Sequence, residues 1–207
     1  QDIPKQFINI DNVPILIYTL NSFQQHPEID EIMVVCIDGW QEILWAYARQ
    51  FNISKLKWVV SGGNTGQESI RNGIEELKTH YDEEDIILIH DGIRPNVSQE
   101  IISGCIAQCR LSGSAITVIP CAEAMLLRQD TGRSSKEVVA RERLARTQTP
   151  QAFSLKKLLW AHEEADKRGI TNSVATCTLM IDLGEEVSFC AGSEKNVNIT
   201  TVEDIEI

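Results

Sequence analysis

The hydrophobic and polar positions of the chain form two kinds of segment that alternate along the sequence. Short apolar runs of strand length lie at residues 31–37, 56–60, 85–89 and 114–119. Between and before them, apolar residues recur at helical spacing over about Pro14–Phe23, Gln41–Phe51, Gln67–Thr79 and Ser98–Leu111. Strands that are apolar on both faces and alternate with amphipathic helices indicate a mainly parallel sheet covered on both sides. We therefore predict a three-layer α/β/α, Rossmann-like domain whose ligand crevice lies at the carboxyl ends of the strands.

The pattern changes in the second half of the chain. From about Glu123 to Thr147 the residues are polar and turn-rich, which predicts a hairpin arm that protrudes from the sheet. A loop through Pro150 and Gln151 is then expected to lead into a helix over Phe153 to about Lys167. Short strands are predicted at Glu186–Phe189 and Val197–Ile199. No repeat or linker divides the chain, so we interpret residues 1–207 as one domain.

Composition and charge exclude several classes of function. Hydrophobic residues make up 43% of the 207 residues and charged residues 24%, as in a globular protein. The formal net charge of −11 repels a nucleic-acid backbone, so nucleic acid is not an expected partner. An anionic substrate must instead be bound by a few local cations or a metal. No apolar run is long enough to span a bilayer, no signal peptide is visible, and most of the six cysteines lie in apolar runs, so a reducing cytoplasmic location without membrane partners is expected.

The strongest chemical signal follows the third predicted strand, where the sequence reads Ile-His-Asp-Gly-Ile-Arg-Pro over residues 89–95. Asp91 directly after a buried strand can ligate a divalent cation that bridges phosphate oxygens. Arg94 can bind a phosphate with its planar fork. The alternative, taken on these residues alone, is a helix-capping aspartate paired with a surface arginine.

A second signal is the turn Gly62–Gly63, which follows a strand and precedes a helix that contains Ser69. Small residues let backbone amides approach a ligand, and a helix N-terminus favours an anion or a polar base edge. The segment lacks the lysine of a phosphate-binding P-loop and the spacing of a dinucleotide motif. An ordinary glycine turn is therefore the alternative.

Taken together, five ordered motifs resemble the cytidylyltransferases that act on 2-C-methyl-D-erythritol 4-phosphate or D-ribitol 5-phosphate. The resemblance covers nearly the whole chain, from Pro4 to Asp204. The motifs are Pro4-Lys5-Gln6-Phe7, the Gly62-Gly63 turn with Ser69, His90-Asp91-x-x-Arg94-Pro95, Thr147-Gln148-Thr149-Pro150-Gln151-x-Phe153, and Asn196-x-Asn198-Ile199-Thr200-Thr201-x-Glu203-Asp204.

The resemblance implies transfer of CMP from CTP to a polyol phosphate, with release of pyrophosphate and with Mg2+ as cofactor. It assigns the metal to Asp91 and catalytic roles to Lys5, Arg141 and Asn198. Arg141 would position the incoming phosphate across the interface of a homodimer. The residues implied to bind substrates are Gly62, Gly63, Ser69, Gly92, Arg94 and Thr149.

The resemblance leaves several points open. A further strand and a glycine-rich loop that wraps the CTP triphosphate are expected before Gln1. Asn198 and Gly66 stand where the family usually has lysine and arginine, so a non-catalytic nucleotide-binding paralogue is an alternative. An enzyme of the same fold that uses another nucleotide or sugar phosphate is a second alternative. Both polyol phosphates fit as acceptors, with a slight preference for the methylerythritol compound and hence isoprenoid synthesis over wall or capsule polymer supply.

Overall fold

The computed structural model describes residues 3–200 and residue 204. Its helices are α1 (Ile15–Gln24), α2 (Gln41–Gln50), α3 (Gly66–Leu77), α4 (Gln99–Ser112), α5 (Leu155–Arg168) and α6 (Thr176–Asp182). Its strands are β1 (Asn9–Ile10), β2 (Val13–Pro14), β3 (Ile32–Cys36), β4 (Leu56–Ser61), β5 (Ile86–Ile89), β6 (Ser114–Pro120), β7 (Met125–Leu127), β8 (Glu137–Val139), β9 (Ala145–Ser154) and β10 (Phe189–Ala191). Short 3-10 turns occupy Lys5–Phe7 and Arg141–Arg143. The alternation of strands and helices predicted for the first 120 residues is confirmed.

The central strands form two hydrogen-bonded groups. Strand β3 pairs with β4 in parallel, and a second group has the order β10-β6-β9-β5. Within this second group β6 and β10 are parallel, whereas β9 runs antiparallel to both of its neighbours. The sheet is therefore mixed, and the prediction of a mainly parallel sheet is modified by β9. This strand is the longest of the sheet, and its polar sequence was expected to form a loop.

Strand β9 escaped the prediction because two of its buried positions are glutamines. Gln148 and Gln151 are both buried, and their amide groups bond to neighbouring backbone groups, among them the Ser193 carbonyl and the Cys177 amide. A buried amide with hydrogen-bond partners is tolerated in a core strand, although it removes the apolar signal from the sequence. The helix predicted from Phe153 begins two residues later, since Ser154 caps it by accepting from the Lys157 amide at 3.1 Å.

The helices cover both faces of the sheet, which confirms the three-layer α/β/α prediction. On β5, Ile87 and Ile89 pack into the core beneath α3, α5 and α6, while Ile86 and Leu88 pack against α4. Helices α1 and α2 pack with β3 and β4 on the same side as α4. The alternation of side chains along an extended strand produces these two faces.

A cavity of about 1160 Å³ separates β3 from β5. It is lined by residues 33–35 of β3, residues 86–89 of β5 and apolar side chains of α1 and α3. Each of the two strands thus presents a backbone edge to the cavity, and the described residues place no strand between them. At the carboxyl ends of the strands this cavity opens beside Asp91 and Lys5.

The remaining segments modify two predictions. Strands β7 and β8 pair antiparallel and form the expected hairpin arm, in which almost every residue is exposed. The strand predicted at Glu186–Phe189 instead spans Phe189–Ala191, and Val197–Ile199 forms no strand. The Ile199 amide nevertheless bonds to the Ile93 carbonyl at 2.9 Å, which holds the end of the chain against the loop after β5. No helix among the described residues is long and apolar enough to cross a membrane.

Candidate active site

The loop after β5 folds back on itself and brings Asp91 and Arg94 together. The Arg94 amide bonds to the Asp91 carbonyl at 3.1 Å, which closes a turn. The Arg94 Nε atom then donates to Asp91 Oδ2 at 2.9 Å. The aspartate side chain is 41% exposed and the arginine side chain only 12%. The carboxylate therefore faces open space while its cationic partner is enclosed by the protein.

Arg94 also braces a second segment of the chain. Its Nη1 atom donates to the Asn196 carbonyl at 2.7 Å. Two sides of the guanidinium are thus engaged within the protein, one with the turn and one with the segment after β10. The sequence suggested a phosphate ligand, and the structure adds that Arg94 joins these two segments.

His90 and Thr149 bond to the two ends of the turn. Thr149 Oγ1 lies 3.0 Å from His90 Nδ1 and accepts a hydrogen bond from the Asp91 amide at 3.0 Å. The other ring nitrogen of His90, Nε2, lies 3.1 Å from the Arg94 carbonyl. Burial lowers the pKa of His90 to about 4, so its ring is neutral at physiological pH. The residues predicted at positions 91, 94 and 149 are therefore one connected network.

Asn196 is the residue whose role the sequence did not reveal. It is fully buried, and its Nδ2 atom donates to the Thr149 carbonyl at 2.9 Å and to Gln148 Oε1 at 3.2 Å. The Oδ1 atoms of Asn196 and Asn198 are also buried, and neither has a hydrogen-bond partner among the described residues. Buried carbonyl oxygens without a donor are uncommon and costly, so these two asparagines stand out among the described residues. The Asn196-x-Asn198 motif marked this segment in the sequence, but it did not reveal the contacts of Asn196.

Lys5, Ser69 and Gly92 line the same cavity as Asp91. Lys5 is exposed at the start of the 3-10 turn, whose Phe7 is fixed by stacking on Trp40 at a ring distance of 4.6 Å. The Gly92 carbonyl accepts from Thr19 of α1 at 2.8 Å. The structure thus brings a lysine, a carboxylate and a serine to the edge of one cavity.

The turn at Gly62–Gly63 is held by the helix that follows it. The Gly63 amide donates to Ser69 Oγ at 3.0 Å, and the Asn64 amide donates to Glu68 Oε2 at 2.8 Å. The Gly62 amide bonds to the Cys36 carbonyl at 2.9 Å, which fixes the turn beside the end of β3. The amides that the sequence suggested for ligand binding are therefore already satisfied within the protein.

Arg141 lies apart from this network. It stands at the base of the hairpin arm, half-exposed, where it donates to the Ala122 carbonyl and lies 3.5 Å from a carboxylate oxygen of Glu142. The contacts recorded for Arg141 among the described residues do not include the Asp91 turn.

The site fits a magnesium ion held mainly by substrate phosphates. Among the described residues no cluster of three or more histidine, cysteine or carboxylate groups could hold a metal by itself. Mg2+ is commonly bound by one or two carboxylates together with substrate phosphates, and it does not need such a cluster. Asp91 supplies one half-exposed carboxylate of which only Oδ2 is bonded to Arg94 among the described residues.

Comparison with known proteins gives a consistent result. The profile of the family described as "IspD: 2-C-methyl-D-erythritol 4-phosphate cytidylyltransferase" matches residues 1–207. The chain is 42% identical over 208 residues to a ribitol-5-phosphate cytidylyltransferase of Lacticaseibacillus paracasei, which covers 100% of this chain and 88% of the relative. It is 37% identical over 206 residues to a 2-C-methyl-D-erythritol 4-phosphate cytidylyltransferase of Clostridium acetobutylicum, with coverage of 97% and 86%.

Solved structures support the fold. The structure of 4-diphosphocytidyl-2C-methyl-D-erythritol synthase from Anaerococcus prevotii superposes with a TM-score of 0.85. It covers 97% of this chain and 90% of the solved chain at 24% sequence identity. The overall fold is thus shared with a solved protein.

Proposed function

The chain belongs to the 2-C-methyl-D-erythritol 4-phosphate cytidylyltransferase family and is a CTP-dependent cytidylyltransferase, and we propose that its acceptor is ribitol 5-phosphate. The relatives named ribitol-5-phosphate cytidylyltransferase are 36–42% identical to this chain. Two relatives named for 2-C-methyl-D-erythritol 4-phosphate are 37% and 35% identical, and a bifunctional enzyme IspD/IspF is 33% identical. The two highest of these identities, 42% and 38%, belong to relatives named for ribitol 5-phosphate. They support this acceptor, and with it wall or capsule polymer supply, in place of the slight preference for methylerythritol phosphate expected from the sequence.

The reaction requires two anions to meet in an acidic protein. The acceptor phosphate is already an anionic nucleophile, so catalysis consists of alignment and charge neutralisation. We assign Lys5 to the charge on the α-phosphate of CTP, as the resemblance implies, because it is exposed and lines the same cavity as Asp91. Mg2+ held by Asp91 would supply the remaining positive charge. The chain carries a formal net charge of −11, so the loss of either Lys5 or the metal ligand Asp91 should strongly reduce turnover.

The Gly62–Gly63 turn is proposed to read the cytosine ring. The Gly62 amide is bonded to the Cys36 carbonyl and the Gly63 amide to Ser69 Oγ, so the turn would read a base through its carbonyl oxygens. A carbonyl oxygen accepts a hydrogen bond from the amino group of cytosine, whereas UTP offers a second acceptor at that position. CTP should therefore be preferred to UTP.

We also propose that the hairpin arm mediates a homodimer. Leu126, Leu127 and Val138 lie on its two strands and are 62%, 53% and 75% exposed. Apolar side chains on a protruding hairpin are stabilised when a second copy covers them. The same association would bring Arg141 to the active site of the neighbouring chain, where it could position the acceptor phosphate. Light scattering should give the mass of two chains, and Leu126→Asp should shift it toward one.

The cavity between β3 and β5 is proposed to hold a strand of the same polypeptide that precedes Gln1. Both flanking strands offer backbone edges, and their apolar faces are only half-buried, unlike those of a completed parallel sheet. The lysine turn at residues 5–7 lies at the carboxyl end of this cavity, so a preceding strand would lead directly into it. The amides of β3 and β5 that face the cavity should then be protected from hydrogen exchange in the full-length protein.

Acceptor competition tests the proposed function. The full-length protein should form mainly CDP-ribitol when it is incubated with CTP, Mg2+ and equal amounts of both polyol phosphates. Asp91→Asn should reduce turnover by about a hundredfold or more, whereas Asp182→Asn, at an exposed position on α6, should not. Preferred formation of the methylerythritol product would overturn the choice of acceptor, and absence of any product would overturn the function.

A further inference from the structure

The hydrogen bonds around His90 determine which ring nitrogen carries the proton. Nε2 lies 3.1 Å from the Arg94 carbonyl, and a carbonyl can only accept, so Nε2 must be the donor. Thr149 Oγ1, 3.0 Å from Nδ1, already accepts from the Asp91 amide, and Nδ1 is the one acceptor that the described residues offer to its own proton, so Nδ1 is bare. A bare Nδ1 at 3.0 Å from Thr149 Oγ1 can only accept the threonine proton.

This assignment also fixes the direction of the Thr149 hydroxyl. Its proton points to His90, and its oxygen accepts from the Asp91 amide at 3.0 Å. The hydroxyl has one proton only, so Thr149 has none left to donate to an anionic substrate. Thr149 therefore acts on the reaction through its hydrogen bond to the Asp91 backbone amide.

We propose that His90 is a positioning residue for nucleotidyl transfer, whose neutral Nε2–H imidazole orients Thr149 and the Asp91–Arg94 turn through two directed hydrogen bonds. One bond fixes the start of the turn, at the Asp91 amide by way of Thr149. The other fixes its end, at the Arg94 carbonyl. Both ends of the segment that presents the Asp91 carboxylate to the cavity are thus set by one ring.

The surroundings of the ring argue against a role as a general base. Phe23 of α1 lies against it at a ring distance of 4.9 Å, and both nitrogens are occupied by protein groups. A base must reach a proton on the substrate directly or through one water, and this ring offers no free nitrogen. The acceptor phosphate needs no base, because it is already an anion.

The tautomer can be measured without any turnover. We expect 15N NMR of the histidine-labelled protein to show His90 protonated at Nε2 and bare at Nδ1, and the His90→Gln variant to identify its signals. A proton on Nδ1, or on both nitrogens at neutral pH, would overturn the inference.

Paired substitutions test the positioning role, and this part rests on the proposed function. Thr149→Ser keeps the hydroxyl, whereas Thr149→Val keeps the shape and leaves both His90 Nδ1 and the Asp91 amide unpaired. Outer residues that orient an active group typically contribute about 10- to 100-fold, so kcat should fall by about that factor in Thr149→Val and largely survive in Thr149→Ser. The KM for CTP should change little, because the proposed cytosine contacts lie at the Gly62 turn.

Substitutions of His90 itself separate the two bonds. His90→Asn can place an acceptor near Thr149 but cannot reach the Arg94 carbonyl, and His90→Gln can donate to Arg94 but leaves Thr149 unpaired. Each should lose part of kcat while retaining a cooperative unfolding transition. Equal kcat for Thr149→Ser and Thr149→Val, or losses fully explained by the unfolded fraction, would overturn the inference. If the wild type transfers nothing to either acceptor, the proposed function fails, whereas the tautomer measurement still decides the inference.

Discussion

Arg94 joins two segments of the site, and its replacement by lysine should be costly. Its Nε atom bonds to Asp91 Oδ2 at 2.9 Å, and its Nη1 atom bonds to the Asn196 carbonyl at 2.7 Å. Hydrogen bonds that involve a charged group contribute about 1.5–3 kcal/mol each. A lysine ammonium is a point donor that cannot reproduce the fork, so one bond should be lost. With the arginine side chain 12% exposed, water can replace little of it. We expect Arg94→Lys to lower the free energy of unfolding by about 2 kcal/mol.

Arg110 provides a matched control, since it makes an ion pair of similar length in open solvent. Its Nη1 atom lies 2.6 Å from Glu28 Oε1, with side chains 61% and 39% exposed. Exposed ion pairs contribute about 0.2–1 kcal/mol, so Arg110→Lys should leave the free energy of unfolding almost unchanged.

Urea unfolding followed by circular dichroism measures both variants. The midpoint should fall clearly for Arg94→Lys at unchanged slope and stay near the wild type for Arg110→Lys. Equal shifts for the two variants, or a wild-type midpoint for Arg94→Lys, would refute the argument that Arg94 braces the site.

Two further predictions concern the glycine turn and the buried histidine. A Cβ at Gly63 would overlap the Glu68 side chain that holds the Asn64 amide, whereas one at Gly66 would meet no atom within 4 Å. Gly63→Ala should therefore weaken CTP binding in calorimetry and Gly66→Ala should not; equal affinities would contradict the role of the turn. Because the folded pKa of His90 is about 4, below its ordinary value of 6.5, the unfolded chain binds a proton first as the pH falls. Stability should drop by about 2 kcal/mol more between pH 7 and pH 5 in the wild type than in His90→Gln, and parallel urea midpoints would contradict this.

The sequence predicted those parts of the fold whose burial is apolar. The runs that became β3, β4, β5 and β6 are continuous and hydrophobic, so their place between helices was readable. Strand β9 was not, because its buried glutamines take their partners from segments distant in the sequence. Tertiary hydrogen bonds of this kind leave no local periodicity.

The candidate site was predicted as a set of residue types and less well as an arrangement. The position of Asp91 directly after a strand sufficed to place it at the cavity edge. The sequence could not show that Arg94 faces the Asn196 carbonyl, or that Thr149 is bonded to His90, because these contacts join residues between 59 and 102 positions apart. The satisfied amides of the Gly62–Gly63 turn were likewise invisible until its helix was in place.

The central claim is that this site joins CMP to a polyol phosphate, and 31P NMR of the reaction tests it most directly. With CTP, Mg2+ and ribitol 5-phosphate, the full-length protein should convert the phosphomonoester signal into the two coupled signals of a diphosphate diester. Inorganic pyrophosphate should appear in equal amount. A phosphomonoester signal that stays unchanged in the presence of folded protein would contradict the account.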